Sequence, residues 1–369
     1  MPICKKGEPE MQASLKVMLK ELTEAFGPSG YEQPVRDVMR KWVEPHADHI
    51  TTDNLGSLIA EKRGTQDRPR VMLAGHLDEV GWMVTRITDE GYLKFQPLGG
   101  WWSQVLPAQR VEVRTQQGTL LGVIGSQPPH SLPPAKRKEA VELKDLFIDI
   151  GVADRNEAEA MGVRPGDPIV PHSPFTVMAN PKYWLAKAMD NRMGCAVAVE
   201  VMRRLDQKEL PGTLYAVGTV MEEVGIRGAG TSAAVVDPDV AIVIDVGLGG
   251  DIPGTSPDQA PCHLGKGPLV VIYDALHIAH RGLLQMLRDT AKELDIPLQY
   301  ESIDRGATDA GRIHLHHQGV PTISVGIPSR YIHSHTSIIH EDDLEQLVQL
   351  LTALVKKLDL TTVERLHQY

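Results

Sequence analysis

Only three cysteines occur in 369 residues: Cys4, Cys195 and Cys262. They are odd in number, far apart and never arranged as CxxC, which excludes a disulfide framework and a thiolate zinc site. Cys195, in an apolar stretch after Gly194, reads as a small buried hydrophobe. Aromatic residues make up 5% of the chain, few for an enzyme that stacks sugars on ring platforms. No apolar run reaches the roughly 20 residues that cross a bilayer. The N-terminus, MPICKKGEPEMQ, carries charge but no apolar core, so it is not read as a secretory signal. Positive charge is in deficit, with 38 Lys and Arg against 48 Asp and Glu. The net charge of -10 argues against nucleic acid or an anionic membrane as partner. A reducing cytoplasm is the expected compartment.

What the chain does contain is ordinary core material. Hydrophobic residues are 42% and charged residues 23%, enough for a large core in two domains or in one domain with an insertion. Residues 12–26 and 32–43 have helical periodicity, the first stopping at Gly27-Pro28. RVMLAGH then reads as a buried strand ending at His76. From residue 77 to 172 the texture changes to short alternating runs split by Gly-containing turns, which predicts an antiparallel β insertion. The proline-rich stretch 127–138 reads as a loop. After 173, strands alternate with helices, with helices expected after Asp190, over 277–294, from Asp309 and from about Glu341. This is the pattern of a largely parallel sheet covered on both faces. The expected division is a catalytic α/β domain, 1–76 plus 173–369, carrying an inserted small β domain, 77–172.

Five metal-type side chains are spread across the α/β portion: His76, Asp190, Glu223, Asp245 and His333. A sixth acid, Glu222, precedes the third. His76, the Glu pair, Asp245 and His333 each follow an apolar strand, and Asp190 opens a helix. In open α/β sheets, functional groups gather beyond the carboxyl ends of strands, so distant residues can meet there. Imidazole with carboxylate is the donor set of Zn, Co or Mn. One carboxylate can bridge two ions about 3.5–4 Å apart, which would activate a shared water. A carboxylate off the metals must then carry the proton, and the Glu doublet provides one. Asp78, two residues beyond His76 on an extended backbone, faces the same side and is expected to hydrogen-bond the imidazole. Each residue alone has a plainer reading. Asp190 could cap a helix, the Glu pair could be a solvated turn, and Asp245 a turn acid. The stretch 306–309 reads as a turn and helix N-cap. Joint occurrence at successive strand ends favours a site.

The motifs AGHLDEVG (74–81), AMDNRMG (188–194), MEEVGIRGA (221–229), IDVG (244–247), GATDAGRIH (306–314) and SVGIPSRYIHS (324–334) occur in that order. In these the chain resembles the glutamyl aminopeptidase or tetrahedral (TET) aminopeptidase family, which includes FrvX-like proteins and proteins labelled "cellulase M". The resemblance spans nearly the whole length. It implies a zinc-exopeptidase α/β fold with a PDZ- or barrel-like dimerisation insert, two divalent ions per subunit and peptide substrates. It further implies self-association to dimers and twelve-subunit tetrahedral particles. Carried over by motif, Asp190 would bridge the ions, His76 and Asp245 would complete one, and Glu223 and His333 the other. Glu222 would be the general base and Asp78 the partner of His76. Met221 stands where Gln is common. Family members differ in preferring acidic, basic or neutral N-terminal residues. A leucine-like preference is expected here, acidic second, with the 249–261 loop as a pocket wall.

Two other classes compete. A glycosidase needs two carboxyls flanking the bond, about 5–5.5 or 6.5–9.5 Å apart, which adjacent Glu222 and Glu223 serve poorly. A non-catalytic, metal-bound scaffold would favour four Cys or His ligands and has no use for a spare Glu222.

Overall fold

The computed structural model describes residues 8–368. Cys4 and the N-terminal segment read above as carrying no secretory signal fall in whole or in part outside them. Helices α1 (Glu8–Glu24) and α2 (Gln33–Val43) lead into strands β1 (His49–Thr52), β2 (Leu58–Lys62) and β3 (Arg70–His76). Six strands follow: β4 (Gly81–Ile87), β5 (Leu93–Leu98), β6 (Arg110–Thr115), β7 (Gly118–Gly125), β8 (Phe147–Asp149) and β9 (Pro168–Pro171). A short helix, α3 (Arg155–Ala160), precedes β9. The chain returns through β10 (Thr176–Val177) and β11 (Tyr183–Ala186) to α4 (Met189–Arg204). Next come β12 (Thr213–Thr219), α5 (Arg227–Val236), β13 (Val240–Leu248), β14 (Leu269–Tyr273) and α6 (Arg281–Glu293). The chain ends with β15 (Gln299–Ser302), α7 (Ala310–Ile313), β16 (Thr322–Ser329), β17 (Ser337–His340), α8 (Glu341–Val355) and α9 (Leu360–Leu366).

Eight strands form a mixed sheet in the order β1-β2-β12-β3-β13-β16-β14-β15. Its centre, β12-β3-β13-β16, is parallel, and its outer hairpin β1-β2 is antiparallel. The central strands are buried along their length, as sheets covered on both faces require. On one face α4 packs against β3, β12 and β13 while α1, α2 and α8 cover its back. It is buried almost all round, which explains its run of small apolar residues from Gly194 to Ala198. On the other face α5 and α7 cover a smaller core with Met72, Tyr215, Val217 and Val243. The 81–171 segment closes as a six-stranded barrel, β4-β5-β8-β7-β6-β9, with its own core of Trp82, Val111, Ile124, Ile148 and Ile169.

Two expectations are corrected. Asp245 does not follow its strand but lies inside β13. Pairing of β13 with β3 stops at Val243, whereas pairing with β16 continues to Leu248. The sheet opens there, and Asp245 stands in the opening. The helix expected from Asp309 is a single turn, α7, and the Asp309 side chain makes no capping bond. It instead accepts a hydrogen bond from Thr219 Oγ1.

Candidate metal centre

The site forms where β3 meets the start of α4. Each element contributes a glycine to the contact. A Cβ on Gly75 would lie 2.6 Å from the Gly194 carbonyl carbon and 2.7 Å from Cys195 N. Only glycine allows this approach, and it brings His76 beside Asp190. Cys195 Sγ donates to His76 O, and burial pushes its thiol up to about 12. It is packing, as expected. Asp190 and Asn191 depart from helical geometry, and Asn191 ties down the turn through Gly194 N and Ile244 O. Non-glycine residues in the left-handed region surround the site: Ala188, Met221, Ile226 and His333. Such backbone costs on the order of 1–3 kcal/mol each and persists where packing enforces it.

The two histidines are oriented alike. His76 Nδ1 lies 3.1 Å from the Asp78 carbonyl, and His333 Nδ1 lies 3.0 Å from the Gly100 carbonyl. A carbonyl only accepts, so both Nδ1 atoms donate and carry the ring proton. That leaves each Nε2 facing Asp190. His76 Nε2 is 3.0 Å from Asp190 Oδ1, and His333 Nε2 is 3.4 Å from Asp190 Oδ2. Glu223 Oε2 lies 3.4 Å from His333 Nε2, and Glu222 Oε2 lies 4.0 Å from His76 Nε2. Asp245 lines the same cavity, with Oδ1 held by Val246 N at 2.8 Å. All six residues named from the sequence as metal-type or proton-carrying line one cavity of about 380 Å³.

An imidazole nitrogen facing a carboxylate oxygen calls for positive charge between them, either a metal ion or a second ring proton. The electrostatics agree. Burial opposes charge on both rings, yet the acids around them push His76 well above the ordinary histidine range and His333 up to about 9. Burial, with repulsion from Asp190, pushes Glu223 up to about 8 and Asp245 well above the carboxylate range. Burial likewise raises Glu222, with Asp309, Glu223 and Asp245 adding to the effect. Glu223 Oε1 is buried with no hydrogen-bond partner. So much buried acid with an unpartnered carboxylate oxygen fits divalent cations. Ligand atoms of His76, Asp190 and Glu223 can all lie within 4.8 Å of one another, suited to one ion.

Asp78 lies beside the His76 ring, as its spacing implied, but its backbone carbonyl is the nearer partner. Its Oδ1 is 3.5 Å from His76 Nδ1, and it is its backbone carbonyl that takes the ring proton. The carboxylate accepts from Ser29 Oγ at 2.6 Å, Glu222 N at 3.0 Å and Glu223 N at 3.1 Å. Asp78 therefore holds both glutamates in place. Sequence reading missed Ser29, and also Glu32, whose Oε1 accepts from Met221 N at 3.0 Å. Burial and the Asp78 charge push Glu32 up to about 7. No spacing signal marks these two. Gly100, from the barrel segment, was missed because a backbone carbonyl leaves no trace in side-chain patterns. Among the described residues, the cavity wall comes from 301–308 and from Ile226, Val246, Leu248 and Ile332, with no residue of the expected 249–261 loop.

A two-carboxylate glycosidase has no support here, because Glu222 and Glu223 share one turn among imidazoles. Comparison with known proteins gives the family. The model for the M42 glutamyl aminopeptidases matches residues 56–350. The chain is 35% identical over 354 residues to the glutamyl aminopeptidase of Lactococcus lactis, covering 95% of this chain and 98% of that one. It superposes on a TET aminopeptidase from a marine sediment archaeon of the Thaumarchaeota with TM-score 0.93 at 47% identity, covering 96% and 99% of the two chains. It also superposes on the Pyrococcus horikoshii TET1 peptidase, which can assemble into a tetrahedron or a large octahedral shell, with TM-score 0.82 at 34% identity, covering 93% and 100%. These likenesses make the chain a peptide hydrolase and imply divalent metal ions. The chain belongs to the M42 glutamyl aminopeptidase family.

Proposed function

We propose that this aminopeptidase works with two divalent ions, Zn or Co, with Mn as the further alternative. The observation that carries the reading is the shared orientation of His76 and His333. Both donate Nδ1–H to a backbone carbonyl and direct Nε2 at opposite oxygens of Asp190. Asp190 would bridge the ions, His76 and Asp245 would complete one, and Glu223 and His333 the other. When bound, such ions polarise the scissile carbonyl and acidify a water. Glu222 stands close to the donor set yet 4.0 Å from His76 Nε2, free to act as general base. It takes a proton from the attacking water and returns it to the leaving amine. Asp78 keeps Glu222 aimed through its backbone N–H.

The cavity wall of Ile226, Val246, Leu248, Ile303 and Ile332 suits a neutral, leucine-like N-terminal residue, and Arg305 on the same wall offers charge to an acidic one. We assign residues 77–172 as a dimerisation insert in a catalytic domain of 1–76 and 173–369. Exposed Trp102 and Leu121 on that segment support the assignment. The TET1 relative supports assembly to a tetrahedral dodecamer, which light scattering tests. Among the described residues no helix is long and apolar enough to cross a membrane. The cytoplasm remains the compartment we propose.

Leucyl, glutamyl and lysyl p-nitroanilides should be assayed before and after exhaustive chelation and after reloading with Zn, Co or Mn. The expected result is loss on chelation, recovery on reloading, and the order leucyl, then glutamyl. Full activity after chelation would overturn the two-ion reading.

A further inference from the structure

The catalytic acids occupy the carboxyl end of the sheet. At the opposite end, two turns precede β13 and β16. Asp237 ends α5 in the left-handed region, φ 50°, just before β13. His316 and His317 lie in the turn between α7 and β16, with His317 also left-handed at φ 49°. The parallel register Ala241 with Thr322 sets the two turns side by side. The left-handed residue turns consecutive side chains the same way, and the two rings lie 4.0 Å apart between centroids.

Both imidazoles converge on one oxygen. His316 Nε2 and His317 Nε2 are each 3.6 Å from Asp237 Oδ1. That is too long for a hydrogen bond. It matches the spacing of ligands around a zinc-type ion, where donors about 2.0–2.2 Å from the metal stand about 3.3–3.6 Å from one another. His316 Nε2 is shielded from solvent and has no hydrogen-bond partner. The other oxygen, Asp237 Oδ2, is held at 2.5 Å by Arg68 Nη2, with Arg70 Nη1 at 3.6 Å. Arg68 also binds Asp239 at 2.5 Å, so the acids offset the two arginines and Asp237 is fixed with Oδ1 toward the histidines. Ligand atoms of the three residues can all lie within 4.8 Å of one another.

We infer that Asp237, His316 and His317 form a peripheral site for one divalent transition ion of the zinc class, apart from the catalytic centre. Two imidazoles and one carboxylate are the donors such ions prefer, and water completes the coordination beside exposed His317. The ion joins the α5–β13 turn to the α7–β16 turn. It thereby braces the strand that carries Asp245 and the strand that leads to His333.

The test is zinc content of the full-length protein after equilibration with zinc and desalting, measured by mass spectrometry. The variant H316A/H317A should hold one equivalent fewer than the unsubstituted chain, and its melting temperature should rise less on zinc addition. Its activity should stay within about twofold. A chain altered at the catalytic centre, H76A/D190N, should retain this equivalent, so failure of the two-ion reading leaves the result interpretable. His317 is exposed, so H317Q serves if the double variant folds poorly, with zinc at this site competed away by a chelating dye at least tenfold more easily. Zinc content and melting shift equal to those of the unsubstituted chain in both variants would overturn the site.

Discussion

The substitution Asp78→Asn tests how the site is held together. Asp78 is fully buried, and its carboxylate accepts from Glu222 N and Glu223 N through different oxygens. An amide has one acceptor oxygen. Whichever way the new amide turns, its NH₂ faces one of the two glutamate N–H groups. The Ser29 hydroxyl can rotate and accept, but a backbone N–H cannot. One buried donor is left unpaired, at about 1–3 kcal/mol, and the remaining bonds pass from a charged to a neutral acceptor, worth about 1 kcal/mol more. The total is about 2–4 kcal/mol, read as a lower urea midpoint at unchanged slope. The catalytic effect follows from position. A displacement of about 1 Å at Glu222 costs on the order of 100-fold in rate. We expect kcat to fall about 100-fold with a smaller change in KM. Ser29→Ala removes only the hydroxyl bond and should cost less than about 1.5 kcal/mol with kcat within a few-fold. A D78N enzyme with unchanged kcat and urea midpoint would refute the argument, since the glutamates would then need no such anchor.

Two further outcomes are expected. Glu222→Gln keeps the shape of the side chain but cannot take a proton, so turnover should fall by about 10²–10⁴ with metal content unchanged by elemental analysis. Wild-type kcat in E222Q would remove Glu222 from the role of base. Glu301 is buried at 3% exposure, its Oε2 has no partner, and burial pushes it from 4.5 up to about 7 against the bond from Leu248 N. A raised carboxyl pKa means the fold prefers the protonated form, so stability falls as pH rises from 4.5 to about 7 and the full cost is present above that. Glu301→Gln removes this titration. Its stability relative to the parent should therefore improve by up to about 3 kcal/mol across that window, and parallel denaturation curves at both ends would disprove the assignment.

The linear chain made most of the metal-type residues legible because they sit at boundaries the pattern itself marks. His76 closes an apolar strand, Glu222 and Glu223 follow another, and Asp190 opens a helix whose small residues announce its burial. The α/β texture and the β insertion were legible for the same reason, since periodicity reports which faces are buried. Position along β13 was less legible. Asp245 lies inside that strand because neighbouring β3 stops pairing first, and relative strand length is a property of the sheet.

Tertiary structure alone decided the contacts that give those residues their chemistry. The proton on each imidazole is fixed by a carbonyl, one of them from Gly100 in the inserted barrel segment, and backbone atoms have no sequence signature. Ser29 and Glu32 reach the site from the turn between α1 and α2. Asp309 turns away from its helix toward Thr219, and the cavity wall comes from 301–308. All of these depend on which surfaces meet when the layers close. Residue types and strand ends thus fix what donors are available, while packing in three dimensions fixes which atoms they face.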